Sequence, residues 1–255
     1  MEISLTHIIS SVLTIGLRIS GLVLFAPFFG SAAIPPRIKV ALVIAITALL
    51  YPTYSPHLAA VPLSSWPLLV ASETLVGIAL GISTSVVFEA AQMAGQVLSV
   101  QMGYSLVNIL DPNTQVDSTV VAFFHQSIAM LIFLGLDVHH WILRGVSHSF
   151  EYLPPGSATL NPLFVQALLH EGAIVLELGI QIAAPLLSAT LLTDIVLGLM
   201  GKASPQMPLM LLGPAVKSML GVTVLGITLR FWPHLFERYF SQSIAYTERL
   251  LHLAH

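Results

Sequence analysis

The chain has 255 residues, of which 56% are hydrophobic and only 8% are charged. Soluble domains carry roughly 25% charged residues, so this composition cannot cover a water-exposed surface and indicates a protein held in lipid or inside a membrane assembly. The formal net charge of −3 argues against a nucleic-acid partner, because such a surface requires clustered Lys and Arg. The absence of Cys excludes disulfide bonds and thiolate metal sites.

The first apolar segment, 3–29, lacks the basic residues that begin a signal peptide, and we expect it to form a membrane helix. Further apolar stretches follow at 38–51, 66–100, 118–136, 163–199 and 209–232. Their lengths are uneven, since 38–51 falls short of the roughly 20 residues that span a bilayer while 66–100 and 163–199 exceed them. Backbone polar groups must be paired away from water. The sequence therefore predicts an all-α, membrane-associated fold of about six apolar helical segments, several of them bent or forming hairpins.

Proline and glycine mark the turns between these segments. Pro27, Gly30, Pro35 and Pro36 separate the first two stretches. Three later turn segments are YPTYSPHLAAVPLSSWP (51–67), in which the prolines forbid a continuous helix, EYLPPGSATLNP (151–162), and GKASPQMP (201–208), a tight hairpin. The most natural boundary lies near residue 162, which leaves a C-terminal two-helix hairpin and tail. Basic residues fall on both sides of six such spans, so the positive-inside rule assigns no orientation.

Small residues four apart on the long third stretch allow helix backbones to approach closely, and they favour packing within the chain. They are Gly77, Gly81 and Ser85, followed by Gly95, Ser99 and Gly103.

Glu89, Gln92 and Gln96 lie on one face of the same stretch, because their spacing is i, i+3 and i+7. Polar side chains inside a membrane are costly and usually face a bundle interior or an aqueous path. The pattern therefore predicts a pore or subunit contact, with a hydrogen-bond network inside the chain as the alternative.

Isolated charges in apolar surroundings are expected to pair with another helix or subunit rather than to take part in catalysis. They are Arg18, Glu73, Asp137, Glu171, Glu177, Asp194 and Lys217.

The ten histidines show no spacing typical of a metal site. His139 and His140 are adjacent, so we expect their side chains to point to different faces, and Arg144 stands between His140 and His148 on a helix face. The sequence contains no nucleophile–base pair, phosphate loop or nucleotide fingerprint. We therefore expect neither enzymatic activity nor a metal or organic cofactor.

Four stretches together resemble the FliR-type export-gate proteins, known as SctT in injectisomes. RISGLVLFAPFFGSAAIPPRIKVAL (18–42) resembles their N-terminal signature, and AGQVLSVQMGYSLVNILDP (94–112) resembles their Q-x-G followed by an Asp-Pro loop. LIFLGLDVHHWILRGVSHSFEYLPPG (131–156) is similar to their F-x-x-x-x-G-H block, Ser-Phe pair and Pro-Gly end. DIVLGLMGKASPQMPLMLLGPAVK (194–217) is similar to their turn with a basic residue before Pro-Gln. Asp137 and Val138 depart from the pattern, since relatives tend to have small residues there.

This resemblance implies a non-enzymatic subunit of the type III protein-export apparatus, flagellar or virulence-associated. The implied location is the bacterial inner membrane, at the base of a flagellar basal body or an injectisome. The implied partners are FliP-type and FliQ-type subunits, together with the FlhB-type switch and FlhA-type export components. Their helices would pack obliquely in a channel-forming hetero-oligomer that passes unfolded secreted proteins. Residues 1–162 would form a FliP-like part, and 163–255 a FliQ-like hairpin and tail.

The segment GYSLVNILDPNTQVDST (103–119) is polar, interrupted by proline and free of Lys and Arg, although it lies between two very apolar stretches. Taken alone, it is either a surface loop or a functional segment. In proteins that resemble this one, the loop after Q-x-G turns inward and plugs the channel, which implies a plug within 106–120. The plug residues are then Val107, Asn108, Ile109, Leu110, Asp111, Pro112, Asn113, Thr114, Gln115, Val116 and Asp117.

Further residues are expected to contact other subunits or the pore. They are Arg18, Glu89, Gln92, Gln96, Gln101, Lys202, Pro205 and Gln206. The alternative function is a secondary transporter or small-solute permease, in which broken helices also mark binding sites. The sequence shows no convincing inverted repeat of that kind.

Overall fold

The computed structural model describes residues 5–27, 29–30, 34–58, 61–104, 119–158, 161–204, 206 and 209–253, and all regular secondary structure within them is helical. The prediction of an all-α fold is confirmed. The α-helices are α1 (Leu5–Phe25), α2 (Pro36–Tyr54), α3 (Trp66–Gln101), α4 (Val120–Gly135), α5 (Val138–Tyr152), α6 (Pro162–Ala203), α7 (Leu209–Thr228) and α8 (Trp232–Leu253). Short 3₁₀ turns cover Ser55–His57, Leu63–Ser65 and Leu229–Phe231.

The helices are long and apolar enough to make this a membrane-embedded protein. Among the described residues, five helical stretches pass the length and hydropathy test for a membrane span, and a pair bent by 69°, α4 with α5, raises the number to six. The predicted number of apolar segments is therefore confirmed.

The prolines of 51–67 prevent a continuous helix, as predicted, but the preceding helix ends later than the apolar stretch 38–51 indicated. Helix α2 continues through Pro52 to Tyr54, so the first residues of the segment 51–67 are helical. The helix also begins earlier than predicted, at Pro36, because a proline in the first turn needs no backbone N–H partner. The resulting helix of 19 residues is close to the length of a membrane span.

Two helices are absent from the list of apolar stretches. Helix α5 is amphipathic and buries Val138, Ile142, Val146 and Phe150, which recur every four residues. Helix α8 likewise buries one face, and its buried aromatic residues are Trp232, Phe236, Tyr239 and Phe240. Their polar faces lower the average hydropathy, so a search for uniformly apolar runs does not detect them.

The chain divides into two compact units. The first comprises Met1–Val86, Asp137–Gly172 and Tyr239–His255, and the second comprises Val87–Leu136 and Ala173–Arg238. Each unit draws on residues from both sides of position 162. The two units therefore do not test the predicted division at residue 162 into a FliP-like and a FliQ-like part, which stays a prediction.

In the first unit, α1 and α3 pack backbone against backbone. A Cβ atom on Gly21 would lie 2.8 Å from the Cα of Gly77, which is closer than real Cβ atoms approach. A Cβ atom on Gly81 would lie 3.1 Å from the carbonyl oxygen of Leu22. The small-residue pattern is used here for packing within the chain, as the sequence indicated.

A buried ion pair joins the same two helices. Arg18 Nε donates to Glu73 Oε2 at 2.8 Å, and the two side chains are 0% and 1% exposed. The other guanidinium nitrogens donate to Ser149 Oγ at 3.0 Å and to the carbonyl oxygen of Leu153 at 3.3 Å. The ring centroid of Phe150 lies 4.3 Å from the Arg18 Cζ, which adds a cation–π contact.

The second oxygen of Glu73 is also satisfied. Glu73 Oε1 accepts the backbone N–H of Gly156 at 3.1 Å, and Gly156 has φ +75°, a conformation that favours glycine. Both members of the ion pair are thus hydrogen-bonded to the end of α5 or to the loop that follows it. Arg18, expected at a subunit or pore contact, lies inside the first unit with its partners in the same chain.

Replacement of Gly77 by alanine tests the close approach of α1 and α3. The added methyl group must push the α1 backbone away, and we expect Gly77→Ala to destabilise the protein by about 1–3 kcal/mol. Gly198→Ala is the matched control, because a Cβ atom on Gly198 meets nothing within 4 Å. That variant should be unchanged or gain up to about 1 kcal/mol from helix propensity. Thermal unfolding in detergent measures both, and equal melting temperatures would contradict the contact.

Replacement of Glu73 by glutamine tests the buried ion pair. It leaves the Arg18 charge buried without an anion, and we expect a loss of about 3–5 kcal/mol in the free energy of unfolding. Asp194→Asn is the control, because the Asp194 side chain is 43% exposed although it also pairs with a cation, Lys217. The Asp194→Asn variant should lose about 1 kcal/mol or less of the free energy of unfolding. Similar destabilisation of the two variants in the same thermal assay would refute a special role for the buried pair.

Candidate functional site

The C-terminus of the long helix α3 is capped by backbone hydrogen bonds just before the predicted plug. The N–H of Gly103 donates to the carbonyl oxygen of Val100 at 3.1 Å, and the N–H of Tyr104 donates to that of Ser99 at 3.0 Å. Gly103 has φ +86°, as this type of helix end requires. The carbonyl groups of Leu98, Ser99 and Val100 in the last turn are therefore paired with the backbone N–H groups of residues 102–104, which directly follow the helix.

The end of α3 is also held by side chains of the second unit. Gln101 Nε2 donates to Asp194 Oδ2 at 3.3 Å, and Asp194 forms an ion pair with Lys217. The hydroxyl group of Tyr104 is hydrogen-bonded to Ser218 Oγ at 2.5 Å. Asp194 and Lys217 were expected to find partners on other helices, and they do so. Gln101, predicted as a subunit or pore contact, has a partner within the chain.

The N-terminus of helix α4 is capped by a side chain. Thr119 Oγ1 accepts the backbone N–H of Ala122 at 3.3 Å, which is an N-cap hydrogen bond. Ala122 also packs closely on α3, because a Cβ atom on Gly95 would lie 2.9 Å from its backbone nitrogen. The residues that flank 105–118 are thus fixed within the second unit. The predicted plug residues, 107–117, lie outside the described residues.

Glu89, Gln92 and Gln96 form a polar face on α3 within the second unit. Glu89 and Gln96 are exposed and Gln92 is partly exposed, whereas their neighbours Ala90 and Ala94 are fully buried. Among the described residues, none of the three polar side chains has a hydrogen-bond or ion-pair partner. The alternative of a hydrogen-bond network inside the chain is therefore not observed for the described part.

The hairpin predicted at GKASPQMP separates α6 from α7. Lys202 lies in the last turn of α6 and is exposed, as is Gln206 in the turn that follows. Pro205 lies outside the described residues. The two helices approach each other near this turn, since a Cβ atom on Gly213 would lie 3.8 Å from Leu197 Cδ1.

The start of α5 brings together the side chains of Asp137, His139 and His140. Asp137 Oδ1 lies 3.5 Å from His140 Nδ1 and 3.9 Å from His139 Nε2, and the two imidazole centroids are 4.1 Å apart. The expectation that the adjacent histidines point to different faces is wrong, because both rings turn toward the Asp137 carboxylate at the start of α5. These donor atoms form a group that could hold a metal ion, although the Asp137 and His140 side chains are 69% and 60% exposed.

Several of these structural residues escaped the sequence analysis. Thr119 carries a local signal, since a threonine immediately before an apolar helix is a common N-cap. Ser149 and Gly156 stand in the Ser-Phe pair and the Pro-Gly end that resemble the family, but no pattern showed that they contact Arg18 and Glu73. Ser218 carries no signal, because its contact with Tyr104 joins segments that are far apart in the chain.

Comparison with known proteins gives one consistent result. The family model described as bacterial export proteins, family 1, matches residues 9–243. The flagellar biosynthetic protein FliR of Pectobacterium carotovorum subsp. carotovorum is 31% identical over 235 residues, which cover 88% of this chain and 86% of the relative. FliR of Escherichia coli (strain K12) is 29% identical, with 88% of each chain covered. FliR of Bacillus subtilis (strain 168) is 26% identical, with 84% of each chain covered.

Proposed function

Because this chain belongs to the bacterial export proteins, family 1, as a FliR-type subunit of the flagellar export apparatus, we propose that it helps to form the channel through which unfolded proteins leave the cell. It does so as a structural, non-enzymatic subunit in the bacterial inner membrane. Its proposed neighbours are FliP-type and FliQ-type subunits, with FlhB-type and FlhA-type components close by.

The observation that carries this proposal is the polar face of α3. Glu89, Gln92 and Gln96 lie on the surface of a helix that is long and apolar enough to span a membrane. Ionisable and amide side chains that face hydrocarbon are costly, so such a face is expected to meet water or polar groups of a partner. A water-filled channel lined by this face supplies that environment.

The segment 107–117 is the proposed plug of this channel. In support, the Gly103 stop and the Thr119 cap fix the flanking residues, and the contacts of Gln101 and Tyr104 hold the end of α3 in place. Val107, Ile109, Leu110 and Val116 provide apolar groups that seal, and the segment has no Lys or Arg to obstruct a cationic cargo. Full burial of one such side chain contributes only about 1.5–3 kcal/mol, so a plug held by a few of them can be displaced.

Thiol labelling tests whether the polar face lines an aqueous path. The chain has no native Cys, so each introduced thiol is unique in it. In the assembled apparatus, Gln96→Cys should react with a charged, membrane-impermeant thiol reagent about tenfold faster than Leu191→Cys, because the reactive thiolate forms in water. Leu191 is a matched control, since it is 61% exposed on the apolar surface of α6. Equally slow labelling at both positions would refute a channel lined by this face.

Shortening the segment 108–117 to a Gly-Ser turn tests the plug. The anchors at Gly103 and Thr119 remain, so we expect the apparatus to assemble in normal amounts. Cells that contain it should become leaky to small ions and solutes, because the apolar seal is gone. Solute leakage and the yield of the complex are measured in the same cells. An assembled apparatus with unchanged leakage would return these residues to a plain connecting loop.

A further inference from the structure

Glu171 on α6 is a second buried glutamate of the first unit, and none of the ion pairs among the described residues includes it. Its side chain is 1% exposed, the same as that of Glu73. Neither of its carboxylate oxygens has a hydrogen-bond partner among the described residues. Glu73, by contrast, pairs with Arg18 and accepts the N–H of Gly156.

The surroundings of Glu171 offer hydroxyl groups instead of a cation. Ser83 Oγ on α3 lies close enough to the carboxyl group to interact with it, although the two groups are not in hydrogen-bond geometry. On α8, the Tyr246 phenol lies close enough to interact with Glu171, and its ring is tilted against that of His170 with the centroids 5.5 Å apart. The Arg249 guanidinium group lies near enough to the Tyr246 phenol for an electrostatic interaction, but it forms no ion pair with Glu171 among the described residues.

A buried carboxylate anion without a partner is too costly to persist, and such a group takes up a proton instead. We propose that Glu171 is a proton-binding site, which holds a proton at neutral pH and stands as a neutral carboxylic acid between α3, α6 and α8. The proton turns one carboxyl oxygen into a hydrogen-bond donor, and Ser83 Oγ is an acceptor beside it. This role is separate from the proposed channel and does not depend on it.

The site links helix packing to proton occupancy. Release of the proton places an uncompensated negative charge where these three helices meet, and Ser83 is itself covered by α8, since Ser243 Oγ donates to its carbonyl oxygen. The charged state therefore favours separation of the helices or entry of water. The neutral state keeps them packed.

Infrared spectroscopy of the assembled apparatus detects the proton directly. A protonated carboxyl group has a C=O stretch above the amide bands, whereas an ionised carboxylate has none there. We expect the difference spectrum between the wild type and Glu171→Gln at pH 7 to show the loss of one such band. Glu89→Gln is the matched control, since Glu89 is exposed and should contribute no protonated band. A Glu171→Gln spectrum without this loss would overturn the proposal.

Thermal unfolding provides a second, independent test. Glutamine has nearly the shape and the neutrality of a protonated glutamate, so Glu171→Gln should keep its melting temperature within about 2 °C of the wild type. Glu73→Gln, the same change at an equally buried position, should lower it by several times that amount. A Glu171→Gln variant that unfolds as early as Glu73→Gln, or that fails to assemble, would show that the anion is the native form and overturn the proposal.

Discussion

The buried ion pair between Arg18 and Glu73 is the constraint on which the first unit depends. In a chain with 8% charged residues, a guanidinium group that is fully out of solvent must be neutralised where it lies. The glycine contact makes this possible. Gly21 follows Arg18 by three residues and Gly77 follows Glu73 by four, so the close backbone approach and the ion pair occupy the same faces of α1 and α3. The pair in turn holds the end of α5 through Ser149.

The sequence predicted what local patterns can show. Apolar stretches located most of the helices, and the i, i+3, i+7 spacing placed Glu89, Gln92 and Gln96 on one face, which the structure leaves on the surface. It did not show that Arg18 pairs with Glu73 rather than with another subunit, because this choice is made between segments 55 residues apart. Hydropathy averages also concealed α5 and α8, whose polar faces balance their buried ones. The prolines of 51–67 do prevent a continuous helix, but they did not show that α2 runs through Pro52 to Tyr54 before it ends.

Three sets of charged side chains in the described part of the chain differ in how they are stabilised, and each has a different physical consequence. Arg18 and Glu73 neutralise each other, which fixes geometry at the cost of dehydrating two ions. Asp194 and Lys217 pair near the surface, where the energy is small but the end of α3 gains a hydrogen bond through Gln101. Glu171 has no ion-pair partner among the described residues, and the proposed proton neutralises it instead. In this last case the neutralising group is a proton, so the charge state follows the pH.

The surface of the chain has apolar regions that are unfavourable in water and a polar region that is unfavourable in lipid. Helix α2 exposes large apolar side chains along its length, with Leu49 at 73% and Ile44 at 62%, and α6 exposes Leu191 and Leu199 to a similar degree. Water would not accept these surfaces, whereas lipid would not accept Glu89 and Gln96 on α3. A bilayer alone accommodates the apolar side chains of α2 and α6 but not the polar side chains of α3. An assembly that covers the apolar faces with lipid or neighbouring helices, while it keeps one narrow polar face against water, satisfies both, and a channel shared among several subunits is such an assembly.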